Sequence, residues 1–277
     1  MTKEQTDKPG AEKGNAERQN REPPMNAREE WFEFLKTAFF AVLLALVIRT
    51  FLFEPFNIPS GSMKPTLKVG DYLFVYKPSY GFSRHSFPFG LAPIEGRVMA
   101  REVKRGDIVV FKLPRNTGVD YIKRVVALPG ETVQVIDGRL YINGHIVPRR
   151  SLGWKRIKDG NLFTNMHEYI ETLPGGLEHH IYEEGDHMPL DNTPKYVIPE
   201  GKYFLMGDNR DNSQDSRVMH HVGYVPYENI IGRAEIIFFS TNGYAGLFEF
   251  WNWPWTVRYD RLFNWIHDDR KQAAAGG

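Results

Sequence analysis

From Phe32 to Phe53 the chain is apolar over about 22 residues, with charges only near the two ends. No other stretch so limits what the chain can fold into. As a helix rising 1.5 Å per residue it would cover ~33 Å, enough for the ~30 Å of a bilayer's hydrocarbon. Lys36 and Arg49 stand where long basic side chains can reach the headgroups. Three readings compete. The uninterrupted run from Thr37 to Ile48, about 12 residues, also suits the apolar part of a cleaved leader or a buried soluble helix. A leader would be followed by small residues at a cleavage site, and Phe53-Glu54-Pro55-Phe56 is a poor one. One retained transmembrane helix over residues 32–53 is therefore expected. Arg18, Arg21 and Arg28 precede it and Lys36 stands in its first turns, which favours a cytoplasmic N-terminus for this single predicted pass.

The flanks differ sharply. Residues 1–31 are rich in Lys, Glu, Asn, Gln and Pro, too polar to offset the entropy of ordering, so a disordered cytoplasmic tail is expected. A second short tail is expected over 271–277. The formal charge of +1 argues against a nucleic-acid partner. With no cysteine, disulfides, thiolate nucleophiles and cysteine-based zinc sites are all excluded.

Beyond the apolar stretch the pattern turns to β. Tyr72–Tyr76, Asp107–Phe111, Tyr121–Ala127, Thr132–Ile136 and Leu140–Ile142 are short β-branched or aromatic runs, with further strands expected at Lys202–Met206 and Gly232–Ser240. Turn residues separate them, and Asp137-Gly138 is a strong hairpin signal. The expected fold is mainly β: an antiparallel barrel- or sandwich-like domain over 54–144 and 199–270, preceded by the one membrane helix. Residues 145–198 carry many charges, weak periodicity and His145, His167, His179, His180 and His187, and read as an inserted subdomain of loops and short strands. No HExxH or comparable zinc spacing occurs, and most of those histidines read as surface residues. Trp251, Trp253, Trp255 and Trp265 fit either a rim at the membrane–water boundary or an aromatic core.

Two segments bear on chemistry. In Pro59-Ser60-Gly61-Ser62-Met63-Lys64-Pro65, glycine permits close backbone approach and two prolines stiffen the flanks, which suits a preorganised nucleophile. Most such loops are nonetheless inert. Lys123 lies in a strand where Tyr121, Lys123 and Val125 share one face. A lysine can take the proton from a serine only when neutral, so its pKa must come from about 10.4 down to about 7 or 8, which apolar burial achieves. An outward lysine would simply be solvated. The third block, Gly207-Asp208-Asn209-Arg210-Asp211-Asn212-Ser213-Gln214-Asp215-Ser216-Arg217, reads as a polar, ion-paired turn; it lacks the closing glutamate of a calcium loop.

Taken in order behind a membrane span, Phe53–Met63, Arg105–Phe111, Asp120–Glu131 and Gly207–Arg217 continuing to Ala234 resemble the bacterial type I signal (leader) peptidases. The resemblance implies a Ser/Lys-dyad endopeptidase of the cytoplasmic (inner) membrane that removes signal peptides from exported preproteins on the extracytoplasmic, periplasmic side. It implies Ser62 as nucleophile and Lys123 as general base. Ser60 would complete the oxyanion hole and Ser213 would orient the lysine amine. Asp208, Arg210, Asp215 and Arg217 would brace the site. Phe56, Ile58, Pro59, Met63, Tyr121 and Ile122 would bind substrate and shape pockets for small residues at positions −1 and −3. No cofactor or metal is implied; the partners implied are preprotein signal peptides, the lipid bilayer and the secretion translocon. Without the resemblance, a membrane-tethered β-domain acting as adaptor or chaperone for secreted chains fits the same strands and aromatic rim. Such an adaptor has no need of both a serine nucleophile and a strand lysine.

Overall fold

The computed structural model describes residues 26–266 except 88–89, 91–92, 160–161 and 244–245. Nearly all of the expected N-terminal tail, and the C-terminal tail, lie outside the described residues. The chain divides into two units, one through Leu46 and one from Val47 onward.

The first unit is helical, its helix running from Ala27 to Phe51 across the boundary between the units. None of its side chains is buried, although it is apolar around most of its circumference. A helix of that kind calls for an apolar surrounding, and 25 residues are long enough to cross a membrane. It begins five residues earlier than the hydrophobic stretch because its first turn is polar and self-supporting. The Asn26 carbonyl accepts from the Glu29 and Glu30 amides at 2.8 and 3.0 Å, and the Glu29 carboxylate accepts from the Asn26 amide at 3.3 Å. Both acidic side chains also suit the positive end of the helix dipole. It ends at Phe51, ahead of the expected Phe53, because Phe53 is already paired in a strand with Tyr76.

The second unit is mainly β. Its largest sheet is antiparallel and runs, edge to edge, Phe53–Asn57, Asp71–Tyr76, Ile230–Ser240, Ile108–Leu113, Asn116–Ala127, Lys202–Met206 and Val225–Pro226, with Asn264–Trp265 added on Ile230–Ser240. The run Ile108–Phe111 is continuously apolar because both of its faces are covered. Ile108 and Val110 join a cluster with Met63, Leu67, Leu73 and Ile237, whereas Val109, Phe111 and Leu113 join another with Tyr80, Val125 and Leu205. A third cluster links Val126 and Phe204 to a four-stranded sheet of Tyr196–Val197, Thr132–Ile136, Arg139–Ile142 and His145–Ile146. Within that sheet Asp137 and Gly138 have φ of 47° and 68°, the pair of positive values a tight two-residue hairpin requires.

The region expected to be loops and short strands is built differently. Arg149–Asp159, Leu162–Leu173 and Leu177–Glu183 form a three-stranded antiparallel sheet whose first two strands have 11 and 12 residues. The flanking pieces His145–Ile146 and Tyr196–Val197 pair instead with the body's own strands. His179 is an exception to the surface position expected of most histidines here: it is 1% exposed. Of the late tryptophans, Trp251, Trp255 and Trp265 are exposed, while Trp253 packs on Phe239 with ring centroids 4.9 Å apart.

Candidate active site

Ser62 is set by the path its chain takes on leaving the sheet edge. Ile58 still bonds like a strand residue, donating to the Asp71 carbonyl at 2.8 Å and accepting from Gly70 at 3.0 Å. Pro59 then ends the pairing, having no N–H to give. The chain turns, with Lys64 N–H on the Gly61 carbonyl and Leu67 N–H on the Met63 carbonyl, while Met63 and Leu67 plug the core with no exposed surface. From behind, Asn209 holds the turn: its amide donates to the Ser62 carbonyl at 3.0 Å and its side chain to the Gly61 carbonyl at 3.1 Å.

Lys123 comes from the strand Asn116–Ala127, opposite Val109. Its Nζ lies 2.8 Å from Ser62 Oγ and donates to the Ile122 carbonyl at 2.9 Å. Ser62 and Lys123 are buried. Burial is the main influence on the amine and pulls its pKa down to about 8; Asp215 and Asp208 oppose this, and Arg217 assists it. A substantial fraction of neutral amine is therefore present near pH 8 against a hydroxyl within hydrogen-bond reach, the arrangement needed to activate a serine. Ser60 Oγ is 3.3 Å from Ser62 Oγ.

Behind the pair lies a buried ionic frame. Arg124, next along the strand, grips Asp208 with Nε to Oδ1 at 2.8 Å and Nη2 to Oδ2 at 2.7 Å, and Thr66 donates to the same carboxylate. Asp215 accepts from Arg217 Nε and Nη2, both at 2.9 Å, and from the Gly207 amide at 3.0 Å. Arg217 also donates to the Arg210 carbonyl, and Arg210 donates to Glu171 in the three-stranded sheet, Nη1 to Oε1 at 2.8 Å. His179 of that sheet stands between Glu171 and Asp208, at 3.2 and 3.6 Å. Burial alone would push Asp208 and Asp215 up, but the guanidinium beside each outweighs it and holds both below the usual carboxylate range. Burial, aided by Arg124, pushes His179 below its ordinary value.

The pair opens into a cleft of ≈ 800 Å³. Phe56, Ile58, Pro59, Ser60, Tyr121, Ile122 and Ser213 all line it, together with Val110, Val218 and Met188–Leu190. Met63, expected among the substrate-binding residues, does not: the turn after Ser62 directs it into the core. Ser213 reaches the same cleft, but the hydrogen bonds of Lys123 Nζ go to Ser62 and Ile122. Sequence reasoning missed Arg124, Thr66, Glu171 and His179 as parts of the frame. A charge next to Lys123 in an otherwise apolar strand was a signal for Arg124. Glu171 and His179 are paired by strand register alone, which the sequence does not carry.

What this geometry defines is a class: a mainly β chain with an apolar N-terminal helix and a serine hydroxyl against a buried amine in an open cleft. The family described as signal peptidase, peptidase S26, matches residues 31–239. The signal peptidase I of Rickettsia akari (strain Hartford) is 42% identical over 223 residues, 78% of this chain and 80% of the relative. That of Rickettsia massiliae (strain Mtu5) is 39% identical over 259 residues, 87% of this chain and 94% of the relative. Among solved structures, a signal peptidase I from Enterococcus faecalis V583 is 28% identical, over 48% of this chain and 97% of that one, with a TM-score of 0.28. The chain belongs to the signal peptidase family, peptidase S26.

Proposed function

We propose that this chain is a membrane-anchored serine endopeptidase that removes N-terminal signal peptides from exported preproteins, cutting after a small-x-small motif with a Ser62/Lys123 dyad. The observation that carries the reading is the 2.8 Å separation of Lys123 Nζ and Ser62 Oγ, with the amine's pKa brought to about 8 by burial. The relatives named signal peptidase I support the substrate class.

Neutral Lys123 takes the hydroxyl proton as Ser62 Oγ attacks the scissile carbonyl. Charge then develops on the carbonyl oxygen, where the Ser62 amide and the Ser60 hydroxyl stabilise it. The resulting ammonium gives its proton to the leaving amine, releasing the mature chain and leaving the signal peptide esterified to Ser62. The amine, neutral again, takes a proton from a water as that water attacks the ester carbonyl, and returns it to Ser62 Oγ as the acyl–oxygen bond breaks and the signal peptide leaves as a carboxylic acid. An extended substrate lies between the segments Phe56–Ser60 and Asp120–Lys123, pairing as an added strand. Phe56, Ile58, Pro59, Tyr121 and Ile122 bound the shallow pockets that admit small side chains at −1 and −3. The N-terminal helix spans the bilayer once and holds the site on the extracytoplasmic face, beside the translocon where preproteins emerge.

The test incubates the detergent-solubilised full chain with a preprotein and sequences the new N-terminus. Cleavage after small-x-small, lost in both Ser62→Ala and Lys123→Ala, is expected. Undiminished cleavage by the lysine variant would refute the dyad.

A further inference from the structure

Tyr121 forms one wall of the catalytic cleft, and a residue one hundred positions away holds it there. Its hydroxyl is 2.9 Å from His221 Nε2. The two rings meet edge-on with centroids 6.0 Å apart, and on its other side the phenol packs on Phe111, also at 6.0 Å. Lys123 Nζ lies 5.3 Å from the centre of the Tyr121 ring. The wall therefore stands directly beside the reacting pair.

His221 is delivered by a tightly wound loop rather than a free one. Val218 N–H bonds the Asp215 carbonyl at 2.9 Å, and both His221 and Val222 N–H bond the Val218 carbonyl at 3.0 Å. Val222 is buried in the core immediately after the histidine, and Asp215 before the loop is locked by Arg217. A tyrosine ring hinged only at its own χ angles can swing between rotamers. One whose hydroxyl is also tied to a fixed partner has a single position. Released, Tyr121 would swing aside and widen the cleft next to Ser62.

We propose that His221 is a positioning residue that pins Tyr121 as the cleft wall and thereby excludes larger side chains beside the scissile bond. The proposal rests on the peptidase reading above. It concerns selectivity among substrates, and the chemistry remains with Ser62 and Lys123.

The experiment uses the detergent-solubilised full chain and two preproteins that differ only in having Ala or Val at −1. The kcat and KM are measured for the wild type, His221→Phe, His221→Gln, Tyr121→Phe and the His221→Phe, Tyr121→Phe double variant. In His221→Phe the hydrogen bond is lost with the ring shape kept. KM for the Ala substrate should rise with little change in kcat, and the Ala-over-Val preference should fall about tenfold, the discrimination one or two methylenes carry in an apolar pocket. Tyr121→Phe should lose the same preference, and the double variant no more than either single one. His221→Gln, whose amide reaches the position of Nε2, should restore it. Wild-type preference in both His221→Phe and Tyr121→Phe would overturn the proposal, as would equal loss in His221→Phe and His221→Gln. A wild-type chain that cuts neither preprotein, or a Ser62→Ala variant that cuts both, would instead bring down the peptidase reading.

Discussion

Arg124 holds Asp208 through two parallel hydrogen bonds, and Arg124 is also the immediate strand neighbour of Lys123. Successive strand residues face opposite ways. The same short segment therefore sends an amine to Ser62 and a guanidinium to a carboxylate on the block Gly207–Arg217. That block in turn reaches the serine loop through Asn209. Serine and lysine, 61 positions apart in the chain, are fixed relative to each other by one frame in which Asp208, Asp215 and Glu171 are each paired with an arginine. A near-attack geometry held in this way spares the cost of assembling it in each turnover.

The acid limb of activity should report Lys123. Only the neutral amine can accept the serine proton, so activity is retained above the amine's pKa and lost below it. With burial bringing that pKa to about 8, kcat/KM should fall about tenfold for each pH unit below 8, since the neutral fraction does. A pH profile flat from 8 to 6 would contradict this. Lys123→Arg should be inactive throughout, because a guanidinium does not lose its proton in this range.

Activity and stability should oppose one another at this lysine. In the unfolded chain the amine keeps its ordinary pKa of 10.5, whereas folded it is near 8. Below pH 8 the folded protein must carry a buried ammonium, and the full cost, about 3 kcal/mol, is present. It declines as pH rises from 8 to 10.5 and vanishes above, where both states are neutral. Lys123→Met, of similar shape and uncharged, should therefore abolish cleavage yet raise stability by up to about 3 kcal/mol at pH 6. The gain should shrink above pH 8. Urea unfolding at the two pH values measures it, and an equal gain at pH 6 and pH 10.5 would refute the account.

Some of this was legible in the chain and some was not, for physical reasons. The helix Ala27–Phe51 announces itself because lipid demands apolar side chains on every face. Asp137-Gly138 announces its hairpin because the turn needs two positive φ values. The strands Arg149–Asp159 and Leu162–Leu173 stay hidden because their alternation is not apolar against polar. Their outer parts carry charges on both faces, and their inner parts bury Glu171 in an ion pair rather than a hydrophobe. Ser62 and Lys123 stand out through their neighbours, yet Met63, adjacent to the serine, turns the other way. Which way a residue faces after a proline-broken strand edge depends on the turn that follows, and Met63 is taken by the core.

Glu171 should matter to the body of the protein although it belongs to the three-stranded sheet. It is 2% exposed and paired with Arg210 through both oxygens. Burial pushes the carboxyl up, but Arg210, with His179 helping, holds it well below the ordinary carboxylate range. Such a group stabilises the fold above its unfolded pKa, about 4, and the contribution is lost as pH falls through its lower folded value. Glu171→Gln leaves the Arg210 guanidinium buried without the carboxylate it is hydrogen-bonded to, with Glu183 and Asp208 the remaining negative charges near it. The expected loss is about 3–5 kcal/mol at pH 7, the range for breaking one side of a buried pair. A loss under about 1 kcal/mol would mean that the sheet is no part of the frame.

Gly207 should be irreplaceable for catalysis rather than for folding as such. It sits where the strand Lys202–Met206 passes behind the serine loop, and its amide is held by Asp215 at 3.0 Å. A Cβ built there would meet the Ser213 hydroxyl first and would also come within 2.5 Å of the Ser62 carbonyl oxygen and 2.6 Å of Ser213 Cβ. Contacts that short cannot be accommodated in place, and one neighbour is backbone of the residue carrying the hydroxyl. In Gly207→Ala the strand is anchored by its pairing with Asn116–Ala127, so Ser213 and the serine loop are what give way. A displacement of about 1 Å there is expected to cost about a hundredfold in kcat, with the urea midpoint reduced by no more than an overpacked site explains, about 1–3 kcal/mol. Single-turnover kinetics separates the two effects: a variant with wild-type acylation rate would show that the loop tolerates the methyl group and that Gly207 plays no part in placing Ser62.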